Sequence, residues 1–240
     1  AANIKTDLNT KAPNDVHIGE NSVYIYSRAP QGLGGKIENK SNIVTDGNNS
    51  YGIYSSQDFV NRGNIDFSQG VGNVGVYSYV EGATTTPNSI RNYGTINVSK
   101  SDLQTNPDDR KYGIGMAAGY SEESPAGSGR KVTRGIGSIE NHGLIRVTTP
   151  DSIGMYATGP SSTATNKGTI NLSGENSVGM YLDNGATGIN EGSITTIGAP
   201  KGVKGVVLSN NSKLINRAGA TININSDEGF AVYRVNTPIT

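Results

Sequence analysis

The chain has no cysteine and no tryptophan, and only three phenylalanines, three methionines and two histidines in 240 residues. Without cysteine there is no disulfide, no thiolate metal site and no cysteine nucleophile. With so few large aromatics, aliphatic side chains must fill the core. Charge of one sign is missing too: Lys and Arg number 20, as do Asp and Glu. A neutral chain has no electrostatic reason to prefer nucleic acid or an anionic membrane, so nucleic acid is not an expected partner. No apolar run approaches the ~18 residues of a membrane-spanning helix. The opening AANIKTDLNT lacks the charged-then-apolar start of a signal peptide. It fits a cytosolic chain or a piece of a longer processed protein, and the repeats favour the second.

What is present is glycine, asparagine and a recurring phrase. The pattern N-x-G-x-I-x-(apolar) starts at Asn61 (NRGNIDF), Asn92 (NYGTINV), Asn141 (NHGLIRV) and Asn166 (NKGTINL). Looser copies start at Asn39 (NKSNIVT), Asn190 (NEGSITT) and Asn216 (NRAGATINI). A second phrase follows most copies, as in SYGIY ending at Tyr54, NVGVY at Tyr77, SIGMY at Tyr156, SVGMY at Tyr181 and GFAVY at Tyr233. HIGENSVYIY, ending at Tyr26, opens an eighth unit. A third apolar position lies two residues before most marker asparagines, at Ile37, Phe59, Ile90, Ile139, Ala164 and Leu214.

Apolar residues alternate over four to six positions between Gly, Asn and Ser, which predicts half-buried strands; nothing has helical spacing. A repeat of about 24 residues with three short strands fits a parallel β-helix, whose coils stack at about 4.8 Å. A lone coil cannot bury its inner face, so the stack is the folding unit. The expectation is one all-β segment over residues 1–240, with about eight coils, no significant helix and a lead-in at 1–14. The N-x-G corners are expected to use left-handed backbone, with Asn39, Asn61, Asn92, Asn141, Asn166, Asn190 and Asn216 stacked as an amide ladder. In SVGMY, Val178 and Met180 are expected to share the buried face. Gly52, Gly75, Gly113, Gly154, Gly179 and Gly205 would face away from it, together with a stripe of Tyr26, Tyr54, Tyr77, Tyr156, Tyr181 and Tyr233.

Insertions in a solenoid become surface loops, and such loops often carry binding. Three interrupt the repeat, at 78–89, 99–112 and 117–138. The first and third leave the same corner on consecutive coils, which should place them side by side. Their candidate contact residues are Tyr79, Tyr120, Arg130, Lys131 and Arg134, a mixture of aromatic and cation suited to a protein or glycan.

Chemistry finds less support. Asp46, Asp66, Asp151, Asp183 and Asp227 fall at turns or outward positions with unmatched repeat offsets, unlike clustered catalytic carboxylates. TDGNNS at 45–50 reads as a turn, since the rest of a calcium loop is missing. His142 occupies the variable x of an N-x-G corner, read as a solvent position, and His17 lies on a distant coil. No catalytic residue, metal or cofactor is expected.

The composite phrase N-x-G-x-I-N-(V/L)-x-G-x-x-S-(V/I)-G-M-Y, clearest at 141–181, resembles the passenger repeats of type V autotransporters, particularly large fusobacterial-type adhesins. That resemblance implies a right-handed β-helical passenger displayed on the bacterial surface and a parent anchored by a C-terminal outer-membrane β-barrel not contained in this sequence. It implies adhesion, coaggregation or haemagglutination through a host-cell or bacterial surface protein or glycan, with self-association as a further possibility. The alternative is a polysaccharide-cleaving β-helix enzyme.

Overall fold

Each repeat resolves into three short strands. In one coil these are Thr163–Asn166, Thr169–Leu172 and Val178–Asp183. The computed structural model describes residues 4–6, 15–28, 37–83, 85, 89–106 and 109–235. Most of the lead-in at 1–14 and parts of the insertions at 78–89 and 99–112 lie outside the described residues. Stacking the coils gives three parallel sheets of eight strands each, and no α-helix occurs among the described residues. We name the sheets by their recurring residues: asparagine, isoleucine and tyrosine. Most strands pair with their counterparts in the coils before and after, so this is a parallel β-solenoid of eight coils.

Register is set by columns of like residues. The isoleucine sheet aligns Val16, Ile43, Ile65, Ile96, Ile145, Ile170, Ile194 and Ile222. Ile43 to Ile194 in this column are essentially inaccessible. Burying each such side chain contributes about 1.5–3 kcal/mol. A slip by one residue would turn the whole column to solvent, so the pattern fixes the pairing.

The marker asparagines form a continuous ladder. Each side-chain amide donates to the carbonyl oxygen of the Asn in the next coil, from Asn39 through to Asn216, at 2.8–3.0 Å. The first six are wholly buried. Asn39, Asn61, Asn92 and Asn141 also donate to the carbonyl two residues on, at Ser41, Gly63, Gly94 and Gly143.

The N-x-G corner differs from expectation, because at Asn61, Asn92, Asn141, Asn166 and Asn190 neither the Asn nor its Gly has positive φ; the lengthened copy at Asn216 does have a left-handed glycine, Gly219. Its glycine is required by close approach instead. A Cβ on Gly94, Gly143, Gly168 or Gly192 would run into the carbonyl oxygen of the stacked glycine before it. The left-handed residues recur at the following corner, where the chain enters the tyrosine sheet: Asn21, Asn49, Gly72, Asp151, Asn176, Gly202 and Glu228. Most of these are Asn, Gly or Asp, the types that tolerate this conformation.

The tyrosine strands also depart from simple alternation. Met180 and Leu182 lie in the main core, whereas Val178 packs outside with Ile153, Val207, Tyr156 and Tyr181. A Cβ on Gly179 would point inward, 2.7 Å from Ile194 Cγ2 and 2.5 Å from the Gly205 carbonyl oxygen. The strand therefore turns at its glycine, so that two consecutive residues face the core. This corrects both the placing of Val178 with Met180 and the outward reading of the glycines. It also corrects one position: Gly115, not Gly113, approaches Gly154 in this stack.

Core volume is traded between sheets. The inner column of the asparagine sheet runs Ile37, Phe59, Ile90, Ile139, Ala164, Gly188, Leu214. The preceding tyrosine strands contribute Ser27, Ser55, Ser78, Ala118, Ala157, Leu182 and Leu208. Through most of the stack, large side chains in one column meet small ones in the other. At Gly188 the Leu182 side chain occupies the space a Cβ would need.

Candidate functional site

On its outward side the tyrosine sheet carries a continuous column of side chains. Register aligns Tyr26, Tyr54, Tyr77, Ala117, Tyr156, Tyr181, Val207 and Tyr233. The stripe is thus consecutive, with gaps at Ala117 and Val207. Its rings touch: Tyr26 to Tyr54 with centroids 5.2 Å apart, Tyr54 to Tyr77 at 4.8 Å edge to face, and Tyr156 to Tyr181 at 5.9 Å. Offset and edge-on pairs of this kind contribute beyond burial alone. Burial, reinforced by the neighbouring Tyr26, Tyr79 and Tyr51 hydroxyls, pushes the Tyr54 phenol up to about 12. Burial raises Tyr77 as well, and it raises Tyr156 with help from the Asp183 charge.

The insertions at 78–89 and 117–138 meet in one small antiparallel sheet. Tyr120–Glu123 and Lys131–Ile136 form a hairpin, and Val80–Glu81 pairs with its second strand. Polar groups pin the hairpin to later coils: the Asn184 amide donates to Ser121 Oγ and Thr133 Oγ1, both at 3.0 Å, and Thr158 Oγ1 reaches Ser121 Oγ at 3.0 Å. Tyr79 stacks on Tyr77 at 5.9 Å and meets Tyr120 edge-on at 6.5 Å. Arg134 donates to Glu122 at 2.6 Å, and this bond holds the carboxyl below its usual range.

The five candidate contact residues do not form one cluster. Tyr79 and Tyr120 touch, and Arg134 and Glu122 lie beside Tyr120. Arg130 is exposed just before the hairpin's second strand, and Lys131 lines a groove toward the later coils.

Two grooves flank the hairpin. The earlier one, of about 470 Å³, lies among Tyr26, Tyr54 and Tyr79 and contains the exposed Arg28–Glu81 ion pair at 2.8 Å. The later one, of about 510 Å³, crosses the tyrosine sheet over Ile114, Ile153, Val178, Tyr156 and Tyr181. Its wall is the insertion at 99–112, which brings Leu103 and Tyr112. That insertion is fastened by mutual backbone bonds between Asp102 and Lys111 and by Ser101 Oγ donating to the Asp151 carbonyl at 3.0 Å. The residue-by-residue reading missed Tyr112, Lys204 and Asp183 as groove residues. The available signal was Ala117, which replaces a tyrosine and opens the stripe beside that insertion.

Among the described residues, no three His, Cys, Asp or Glu side chains gather where they could hold a metal ion. Asp66 accepts from the backbone and hydroxyl of Ser68, and the buried Asp183 accepts from the Asn210 amide at 2.7 Å. Asp183 thus sits at the turn end of its strand, beside the later groove, with little exposure. His142 is not a plain solvent position either. Its ring stacks on Tyr93 with centroids 4.5 Å apart and lies 3.0 Å from Glu140, while the Arg62 guanidinium covers Tyr93 at 5.0 Å.

Comparison with curated proteins and with solved structures finds no match. A family model, the BigA third pectate lyase-like domain, matches residues 67–193, which is more than half of the chain and runs from the third coil into the seventh. A β-solenoid with recurrent coils and this family's sequence over its central part place the chain in one group: it belongs to the BigA third pectate lyase-like domain family.

Proposed function

We propose that the chain is a segment of a bacterial surface adhesin, a β-solenoid stalk that holds its inserted loops toward a partner surface. One observation carries this reading: insertions from consecutive coils converge into a single antiparallel sheet, fastened to the scaffold on one side and carrying Tyr120, Glu122 and Arg134 on the other. Membership of the BigA family and the autotransporter-like repeat phrase support a place on the bacterial surface. The partner is a protein or glycan of a host or bacterial cell, and the role is binding rather than catalysis. The engagement of Asp66 and Asp183 in structural hydrogen bonds supports the absence of turnover.

The test compares adhesion of the intact chain to cells and immobilised glycans with that of a variant lacking residues 120–135. The expected result is loss of adhesion with an unchanged β-sheet circular dichroism spectrum. Equal adhesion by both would remove the hairpin from the contact, and no adhesion by either would leave only the stalk. Release of unsaturated or reducing sugars from polysaccharide by the intact chain would favour the enzyme alternative.

A further inference from the structure

The groove between the hairpin and the 99–112 insertion contains more than the display of loops requires. Its floor has two rows running along the solenoid axis, Ile114–Ile153–Val178 and Tyr156–Tyr181, each repeating from coil to coil. Leu103 and Tyr112 rise beside it, 44% and 38% exposed, so two large apolar side chains are kept in water at its edge. The volume of about 510 Å³ lies in the range of ligand sites, as does the mixture of apolar floor and few polar groups. The polar groups are Asp151, Asn176, Asp183, Lys131 and Lys204, two acids against two bases.

We infer that this groove is a binding site for a linear, uncharged oligosaccharide lying along the solenoid axis. Successive coils are about 4.8 Å apart, close to the length of one pyranose unit, so each sugar ring can rest on one coil's pair of floor residues. Aliphatic and tyrosine side chains present flat apolar surface to the C–H faces of the rings. At the rim the Asp151 carboxylate, the Asn176 amide and the Lys131 ammonium offer acceptors and donors to ring hydroxyls, whereas Asp183 is held by the Asn210 amide and Lys204 by the Gly202 carbonyl. The two-against-two charge balance leaves no field to attract a polyanion. A polyuronate would meet the Asp151 carboxylate as well as the Lys131 ammonium, so its charge gains nothing there.

An extended peptide fits less well. The floor strands, Ile114–Ala118, Ile153–Thr158 and Val178–Asp183, are each paired on both sides, so no free edge is available for an added strand. The inference does not rest on the adhesin reading, because the groove would bind its ligand in solution whether or not the hairpin contacts a cell.

The test is titration of the purified intact chain with cellohexaose, maltohexaose and hexagalacturonate, followed by calorimetry and by chemical-shift changes. At least one neutral hexasaccharide is expected to bind, with an affinity that changes less than about twofold between low and high salt. Tyr112→Ala, a change at an exposed wall residue, should weaken that binding at least tenfold. Tyr26→Ala, in the other groove, should leave it unchanged. The inference is overturned if neither neutral sugar binds, if only hexagalacturonate binds, or if Tyr112→Ala has no effect. Displacement of a bound neutral sugar by Tyr112→Ala with adhesion intact would support the groove and leave the hairpin reading to its own experiment. A peptide library selecting binders that shift Tyr112 and Tyr181 while both sugars fail would assign the groove to protein instead.

Discussion

Asn92 donates its side-chain amide to Asn141 at 3.0 Å across 49 residues of chain, and Asn141 donates to Asn166 at the same 3.0 Å across 25. The 99–112 and 117–138 insertions therefore leave the spacing of the coils untouched at this corner. Both rungs are sealed from water, so a ladder group that loses its partner cannot turn to solvent. Asn141→Ala takes the ladder acceptor from Asn92 and the donor from Asn166. At about 1–3 kcal/mol for each buried group left unsatisfied, the loss should be roughly 2–4 kcal/mol in urea unfolding. Asn171→Ala, on the outward side of the isoleucine sheet, should change stability by less than about 0.5 kcal/mol. Similar losses for both would mean that the ladder adds nothing beyond packing.

The glycine of the tyrosine strands gives a second prediction. Gly179→Ala would set a methyl against the Gly205 carbonyl and the Ile194 side chain. Relief requires the backbone of two coils to separate, and a destabilisation of about 1–3 kcal/mol or more is expected. The same change at Gly19, where a Cβ meets only Ser22 Oγ at 3.7 Å, should cost less than about 0.5 kcal/mol. Thermal unfolding of the two variants separates a glycine needed for close approach from one that is not.

The sequence carried the coil count and the register because both are repeated along the chain: an Asn, an Ile and a Tyr in most coils mark the three sheets. It did not carry the turn within the tyrosine strands. Strict alternation assumes a straight strand, and Val178-Gly179-Met180 breaks that assumption at a residue with no side chain to show it. The left-handed corner was equally hidden, since Asn49, Gly72, Asp151, Asn176 and Glu228 share a backbone conformation but not a residue type. For the site, the two insertions that share the small antiparallel sheet could be placed on one corner from spacing alone. The later groove could not, because Tyr112 and Leu103 belong to an insertion outside the repeat and reach Tyr156 and Tyr181 only through the stacking of coils.

Acid should weaken one outward cluster. Partial burial works against ionisation of Glu140, but hydrogen bonds from His142 and Lys167 and the nearby charges of Lys167 and Arg91 outweigh it, so its carboxyl sits below the ordinary 4.5. The stabilisation is therefore present above that value, where both folded and unfolded carboxyls are ionised. It declines as pH falls past 4.5, where the unfolded form takes up its proton first, and is gone once the folded carboxyl is protonated. The difference in unfolding free energy between the parent chain and Glu140→Gln should be greatest near neutrality and shrink below about pH 4.5. A difference that stays constant or grows in acid would contradict this account of the cluster.

Leu182 and Gly188 test whether two sheets share one volume. Leu182→Ala alone should leave a void opposite a glycine and cost about 2–5 kcal/mol. Gly188→Ile alone forces a side chain into the space that Leu182 fills and should cost about 1–3 kcal/mol. The double variant restores the combination found two coils earlier in the stack, where Ala118 precedes Ile139. Its cost should fall well short of the sum of the single changes, with a favourable coupling of about 1–3 kcal/mol. Both single variants and the pair can be followed by denaturant unfolding in one series. Additive losses would show that the coils do not exchange volume between these columns, and that the alternation of large and small residues along them has another origin.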